Sequence, residues 1–130
     1  MIVTRRFILA AAAFGASLSP ASASLLVPAQ WFNEAAMRFR ALVPSPASAR
    51  EIGRIYLAQH PEENSILALT RLIRLSMSLE EEDVAVFGRQ PLSARLTSRV
   101  RADFETGLTV EVGGWILSRT EARLCALWIP

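Results

Sequence analysis

The chain has 130 residues but only one cysteine and one histidine, and it contains no lysine. The single cysteine, Cys125, excludes a disulfide within the chain, because a bridge needs two thiols. Together with the single histidine, His60, it is also too little to supply a His/Cys zinc site. Carboxylates could complete another kind of metal site, but no spacing in the sequence indicates one. We therefore predict a fold that uses no disulfide, metal or cofactor.

The sequence also lacks a long apolar run near its start. Residues 7–18 form an uncharged stretch of twelve residues, whereas a membrane span takes about 20. Two arginines precede this stretch, and small residues follow it, with Ala21 and Ala23 at the spacing of an A-x-A cleavage site. This layout is typical of a secretory signal peptide. We predict a cleavable signal over residues 1–23 and a single small helical domain over residues 24–130, without a membrane span after cleavage. Retention of the signal as an anchor is the alternative, as is an ordinary first helix that Pro20 would end.

Residues 4–9 read Thr-Arg-Arg-Phe-Ile-Leu. This stretch resembles the twin-arginine export motif, in which Ser or Thr precedes two arginines, any residue and two apolar residues. The residues that carry the resemblance are Arg5, Arg6, Phe7, Ile8 and Leu9. The resemblance implies that the twin-arginine machinery exports the chain, already folded, to the periplasm. General secretion stays open as the alternative route, because pairs of arginine also occur in its signals.

The charge balance gives no support for a nucleic-acid partner. All fourteen basic residues are arginines, and Arg5 and Arg6 leave with the predicted signal. Twelve arginines then face the twelve carboxylates of the mature chain, so its formal charge is zero. Binding to phosphates would need a surplus of positive charge on one face. We therefore predict no nucleic-acid partner.

Helical spacing of apolar residues recurs through most of the mature chain. It predicts a first helix from Trp31, a second from about residue 46 to residue 59 with Ile52, Ile55 and Tyr56 buried, and a third from His60–Pro61 to about Leu79. Gly53 in the second helix would allow close approach of a neighbour. The acidic run at residues 80–83 indicates a solvated helix end or loop.

A fourth helix is predicted from Pro91 to Gly107, with an apolar stripe of Leu92, Leu96, Val100 and Phe104. After it, two strand-like runs flank Gly113–Gly114 and indicate a β-hairpin at about residues 108–117. A last helix follows from Arg119 to about Trp128. The fold class we predict is mainly α, a small bundle of four to five short helices with one β-hairpin before the C-terminal helix.

Ser118 and Glu121 have the spacing of a capping box, in which each side chain accepts a hydrogen bond from the other residue's amide. A chemical site is the alternative, with Ser118 as nucleophile or donor, Glu121 as base and Trp115 as a stacking platform. No G-x-S-x-G turn or second histidine accompanies this pair. We favour the helix cap and predict no catalytic residues.

His60 stands beside Glu62 and Glu63, which invites an acid–base site. The alternative is a surface histidine at a helix start, with two carboxylates near the positive end of the helix dipole. We favour this second interpretation. Glycine-rich phosphate loops, paired cysteines and haem motifs are not found in the sequence.

Three large apolar residues, Trp115, Trp128 and Ile129, are candidates for an interaction surface. The last two lie in a run that would cover more than one helix face, so it meets either the first helix or another protein. In its signal, its size and its lack of catalytic residues, the chain is similar to the small subunits of membrane-associated bacterial flavin dehydrogenases of the gluconate and sorbitol type. The resemblance implies a non-catalytic accessory protein with a larger protein partner. A small stand-alone periplasmic enzyme or ligand-binding domain using residues 115–121 is the alternative.

Overall fold

The computed structural model describes residues 29–129, and their side chains from Asn33 onward. The predicted signal, with Arg5, Arg6, Phe7, Ile8 and Leu9 and the cleavage residues Ala21 and Ala23, lies outside the described residues. From Phe32 onward the chain forms one unit. No helix of the described part combines the length and the apolar character that a bilayer crossing requires.

The first two helices are separated by a proline-rich turn. Helix α1 spans Ala29–Arg40, and helix α2 spans Pro46–Gln59 with its proline in the first turn. Proline suits this position because a first-turn amide has no partner within the helix. The buried residues of α2 recur at helical spacing and form one face: Ala49, Gly53, Tyr56 and Leu57.

The third predicted helix is shorter than expected, because a separate turn precedes it. Pro61–Glu63 forms one turn of 3₁₀-helix, and helix α3 spans Ile66–Ser76. The Ser65 hydroxyl accepts a hydrogen bond from the Ala68 amide at 2.9 Å. This cap satisfies an amide that the first turn of a helix leaves without a partner, so α3 begins after Ser65.

The acidic run forms a short helix of its own. Helix α4 spans Glu81–Val86, and the Asp83 carboxylate accepts a hydrogen bond from the Glu80 amide at 2.8 Å. Helix α5 follows over Arg89–Thr106 and ends at Gly107, whose φ of 77° is the left-handed conformation that glycine adopts without strain.

The predicted hairpin is present. Strand β1, Thr109–Val112, pairs antiparallel with strand β2, Trp115–Ser118, so that Val112 faces Trp115 and Val110 faces Leu117. Gly113 and Gly114 connect the strands, with φ of 56° and 86°. Positive φ at both central residues is what the commonest tight hairpin turn requires.

Helix α6, Arg119–Ala126, is the central element of the core. It contacts α2, α3, α5 and both strands. Its residues Leu124, Cys125, Ala126 and the following Leu127 are buried. The apolar end of the chain is therefore core up to Leu127, and not a loose tail.

The predicted fold class is confirmed: the protein is mainly helical, with a single hairpin before the last helix. Residues 29–129 contain six α-helices, whereas we predicted four to five. The additional helix is α4, which forms because the acidic run caps the start of a helix instead of ending one.

Candidate functional site

Two buried carboxylates and one apolar groove are the features of the described chain that could support a function. The first carboxylate, Asp103, lies on α5 with 2% of its surface exposed. Its Oδ2 atom accepts hydrogen bonds from the Ser118 hydroxyl at 2.7 Å, the Thr120 hydroxyl at 2.7 Å and the Thr120 amide at 3.2 Å. The Arg99 Nε atom donates to Oδ1 at 2.8 Å. Asp103 thereby holds the junction between β2 and α6 against α5.

Burial by itself raises the pKa of Asp103, because it disfavours the charged carboxylate. Hydrogen bonds from Thr120 and Ser118, together with the charge of Arg99, outweigh this effect and leave the pKa below its ordinary value. Asp103 is thus an ionised acceptor, and its environment does not favour the protonated form that a general acid needs.

The Ser118–Glu121 capping box is formed as the sequence predicts. The Glu121 amide donates to the Ser118 hydroxyl at 3.2 Å, and the Ser118 amide donates to Glu121 Oε1 at 3.1 Å. The Ser118 side chain has no exposed surface, and its hydroxyl proton is directed at Asp103. A substrate cannot reach this hydroxyl without opening the core, so the geometry favours the cap over a nucleophile.

Ser118→Ala is expected to lower the free energy of unfolding by about 2 kcal/mol. The variant loses the helix cap, which by itself is worth about 1 kcal/mol, and it also removes a donor from buried Asp103. Urea titration of the variant and the wild-type protein would measure the difference. Ser93→Ala, at an exposed position of α5, serves as the control and is expected to change stability little. A Ser118 variant as stable as the Ser93 control would contradict the assignment.

The second buried carboxylate, Glu63, lies in the 3₁₀ turn after α2. Arg123 donates to it twice, from Nε to Oε1 at 3.0 Å and from a terminal nitrogen to Oε2 at 3.1 Å. Arg119 donates to Oε2 at 3.4 Å, and the Tyr56 hydroxyl donates to Oε1 at 2.8 Å. Burial by itself raises the pKa of Glu63, but the hydrogen bonds and charges of these partners outweigh this effect and leave the pKa below its ordinary value. Glu63 therefore anchors α6 through Arg119 and Arg123, as an ionised acceptor.

His60 and Glu62 lie next to Glu63, and the three residues together are spaced like the ligands of a metal ion. One potential ligand atom from each of His60, Glu62 and Glu63 lies within 4.8 Å of the others. However, both oxygens of Glu63 already accept from arginines, and a cation there would lie beside two guanidinium groups. His60 is half-buried at the end of α2, with its ring centroid 4.5 Å from that of Tyr56. His60 thus stands at a helix start as predicted, at the N-cap of the 3₁₀ turn, but its side chain is only partly exposed. The arrangement favours a structural turn over a metal or acid–base site.

An apolar groove of about 550 Å³ separates α2 from the hairpin. One wall is a helical stripe of α2, and the other is the hairpin face that carries Trp115; together they consist of Ser48, Glu51, Ile52, Ile55, Val112, Gly113, Trp115 and Leu117. Trp115 is 71% exposed, whereas the next residue, Ile116, is 59% exposed but does not line the groove. The groove is therefore an accessible apolar surface with a large aromatic side chain at its edge.

The three candidate interaction residues do not share one surface. Trp115 lines the groove, whereas Ile129 lines a separate cavity of about 120 Å³ between α2, α3 and α6. Trp128 is half-buried, with the Arg50 guanidinium 5.6 Å from the centre of its ring. Of the three, Trp115 is the one that the structure leaves broadly exposed.

Cys125 is buried on α6, and burial raises the pKa of its thiol to about 11. The thiol is therefore protonated at neutral pH, and reactivity needs the thiolate. Sequence reasoning missed Glu63 and Asp103 as the two centres of polar contacts. Arg99 and Asp103 have the i,i+4 spacing of a helical ion pair, and the structure contains this pair. Comparisons with protein families, curated proteins and solved structures give no match for this chain.

Proposed function

We propose that the protein is an exported, non-catalytic accessory protein that binds a larger protein partner in the periplasm. The observation that carries this proposal is the contrast between its polar and its apolar groups. Asp103, Glu63 and Ser118 are buried and hydrogen-bonded within the core, whereas Trp115 is exposed at an apolar groove. Large exposed apolar surfaces, and tryptophan in particular, are characteristic of binding sites for proteins.

The occupant we propose for the groove is a segment of the partner that presents apolar side chains, such as one face of a helix. The α2 wall supports this, because it is one face of a helix, against which an apolar helix face can pack. This face is formed by Ser48, Glu51, Ile52 and Ile55. The one carboxylate of the groove, Glu51, is paired with Arg54 at 2.7 Å, so the groove presents little unbalanced charge. An apolar partner surface therefore fits it better than a charged one.

The twin-arginine resemblance supplies the proposed route and location. Replacing both Arg5 and Arg6 by lysine keeps the positively charged N-terminal region that general secretion uses but removes both arginines of the motif. We expect this double variant to remain inside the cell while the wild-type chain reaches the periplasm, as measured by fractionation and immunoblotting. Normal export of the double-lysine chain would refute the twin-arginine route.

Trp115→Ala tests the binding surface. Because Trp115 is 71% exposed, its removal is expected to change the free energy of unfolding by less than about 0.5 kcal/mol. Loss of a central aromatic anchor typically costs about 2 kcal/mol or more of binding, or roughly a 30-fold weaker Kd. Phe104→Ala, at an exposed position of α5, is the control. A protein that binds the wild type and both variants with equal affinity would contradict the groove as its binding site.

The second candidate function is a small ligand-binding domain that uses the same groove. Its volume of about 550 Å³ is within the range of ligand pockets, which runs from about 300 to 1,000 Å³. Such pockets also hold a few convergent polar groups, whereas the polar side chains of this groove are Ser48 and the paired Glu51. A small molecule that copurifies with the monomer and is displaced by Trp115→Ala would favour this function over the first.

A further inference from the structure

The two edges of the hairpin differ in their hydrogen bonding. The turn has two residues, so the pair that flanks it, Val112 and Trp115, is hydrogen-bonded. Such pairs alternate along an antiparallel ladder, so the next pair, Glu111 and Ile116, directs its backbone groups away from the hairpin. On the β1 edge, the outward Glu111 carbonyl oxygen accepts a hydrogen bond from Gln59 Nε2 at 3.0 Å. Helix α2 therefore supplies a partner to the β1 edge.

The β2 edge has no such partner. Among residues 29–129, no hydrogen bond from another element reaches the N–H or C=O group of Ile116, and its side chain is exposed. Further along the strand, the Ser118 amide donates to Glu121, so α6 limits this edge at one end. Residues 114–117, which we call the open edge, contain no charged residue and no proline. Both are features that commonly protect an edge strand from pairing.

The open edge and the apolar groove share a strand. Alternate side chains of a strand point to opposite faces of its sheet. Trp115 and Leu117 accordingly line the groove, whereas Ile116 does not. A strand paired with the open edge would continue the sheet, and every second side chain of it would point to the same face as Trp115 and Leu117. One extended segment can therefore occupy both the edge and the groove.

We infer that the partner segment in the groove is an extended strand, which pairs with the open edge and directs alternate apolar side chains into the groove. This inference rests on the proposed function and narrows it. A helix fits the groove but bonds its own backbone groups internally, so it makes no use of the free groups of Ile116. In strand addition, main-chain hydrogen bonds give affinity and pockets for alternate side chains give specificity. The groove and the open edge provide these two parts.

Photo-crosslinking from two neighbouring positions of the full chain distinguishes a strand from a helix. A photoreactive residue would replace Trp115 in one chain and Ile116 in another, and mass spectrometry would map the crosslinked residues of the partner. An added strand lies beside both positions, so we expect both chains to be crosslinked to neighbouring residues of one partner segment. A helix in the groove would be reached from position 115 alone, because Ile116 lies on the other face of the hairpin. That result would overturn the proposal.

Ile116→Pro tests the backbone contact itself. Proline removes the outward N–H but no hydrogen bond of the hairpin, and such edge positions tolerate it, so we expect the variant to fold, as circular dichroism would verify. Ile116→Val is the matched control, because it keeps both the N–H and a β-branched side chain. In the chain that carries the photoreactive residue at position 115, we expect proline to weaken the adduct by about tenfold, the effect of one well-formed hydrogen bond, and valine to leave it unchanged. Equal adducts from the two variants would overturn the proposal.

Failure of the proposed function would give a different result. If the chain with native Ile116 forms no adduct from position 115, the groove has no protein partner, and both proposals are refuted. If that adduct forms and persists in the Ile116→Pro chain, the groove remains a binding site and only the added strand is refuted.

Discussion

Glu63→Ala is expected to lower the free energy of unfolding by about 3–5 kcal/mol, the range found when one partner of a buried ion pair is removed. The substitution leaves the mostly buried Arg123 guanidinium without its two carboxylate contacts. The Tyr56 hydroxyl also loses its acceptor inside the core. Because proteins are stable by only about 5–15 kcal/mol, the variant should lose a large part of its stability. Urea titration followed by circular dichroism would measure the change.

Glu62→Ala is the matched control, since Glu62 is the adjacent carboxylate and its side chain is exposed. An exposed contact such as that between the Glu62 carboxylate and the His60 ring, 3.4 Å apart, contributes at most about 1 kcal/mol. Equal stability of the two variants would show that the contacts of Glu63 contribute nothing beyond those of a surface carboxylate, against the role assigned to it.

Gly53→Ala is expected to destabilise the protein by about 3 kcal/mol, at the upper end of the usual cost of overpacking a core. A β-carbon at Gly53 would lie 2.6 Å from the Cys125 carbonyl oxygen and 2.8 Å from the Ala126 α-carbon. These are backbone atoms of α6, so the clash cannot be relieved by rotating a side chain. In an exposed helix the same change would be favourable by up to about 1 kcal/mol. The sign of the stability change therefore distinguishes a close contact from an exposed position.

Gly88→Ala provides the comparison, because a β-carbon there would meet only the Pro91 side chain, at 3.9 Å. Its cost should be below about 1 kcal/mol, from the weaker capping preference of alanine at a helix start. Thermal unfolding of both variants would measure the difference. A Gly53→Ala protein as stable as the wild type would mean that α2 and α6 do not approach as closely as described.

The sequence predicted the close approach at Gly53 but not the helix that makes it. Glycine among apolar residues of a helix indicates a near neighbour, whereas the identity of that neighbour depends on how the chain turns between α2 and α6. The same limit applies to Ile52 and Ile55, which were expected to be buried with Tyr56. The structure buries Tyr56 against α6 and leaves the two isoleucines half-buried in the groove.

The stripe of α5 shows an error of a different kind. A spacing of four residues drifts around a helix, so Phe104 lies about 120° from Leu92, whereas Asp103 lies only about 20° from it. The structure accordingly buries Leu92 and Asp103 and leaves Phe104 exposed. The burial of Asp103 could have been predicted from this angle. The burial of Glu63 could not have been predicted, because Arg119 and Arg123, which cover it, lie about 60 residues further along the chain.

Site-specific photo-crosslinking in the periplasm would test most directly whether the protein works as a binding partner through its groove. A photoreactive residue would replace Trp115 in one chain and Arg101, at an exposed position of α5, in another. We predict that the Trp115 chain forms one defined adduct with a larger protein and that the Arg101 chain does not. No adduct at Trp115, or the same set of adducts from both positions, would contradict the proposed function.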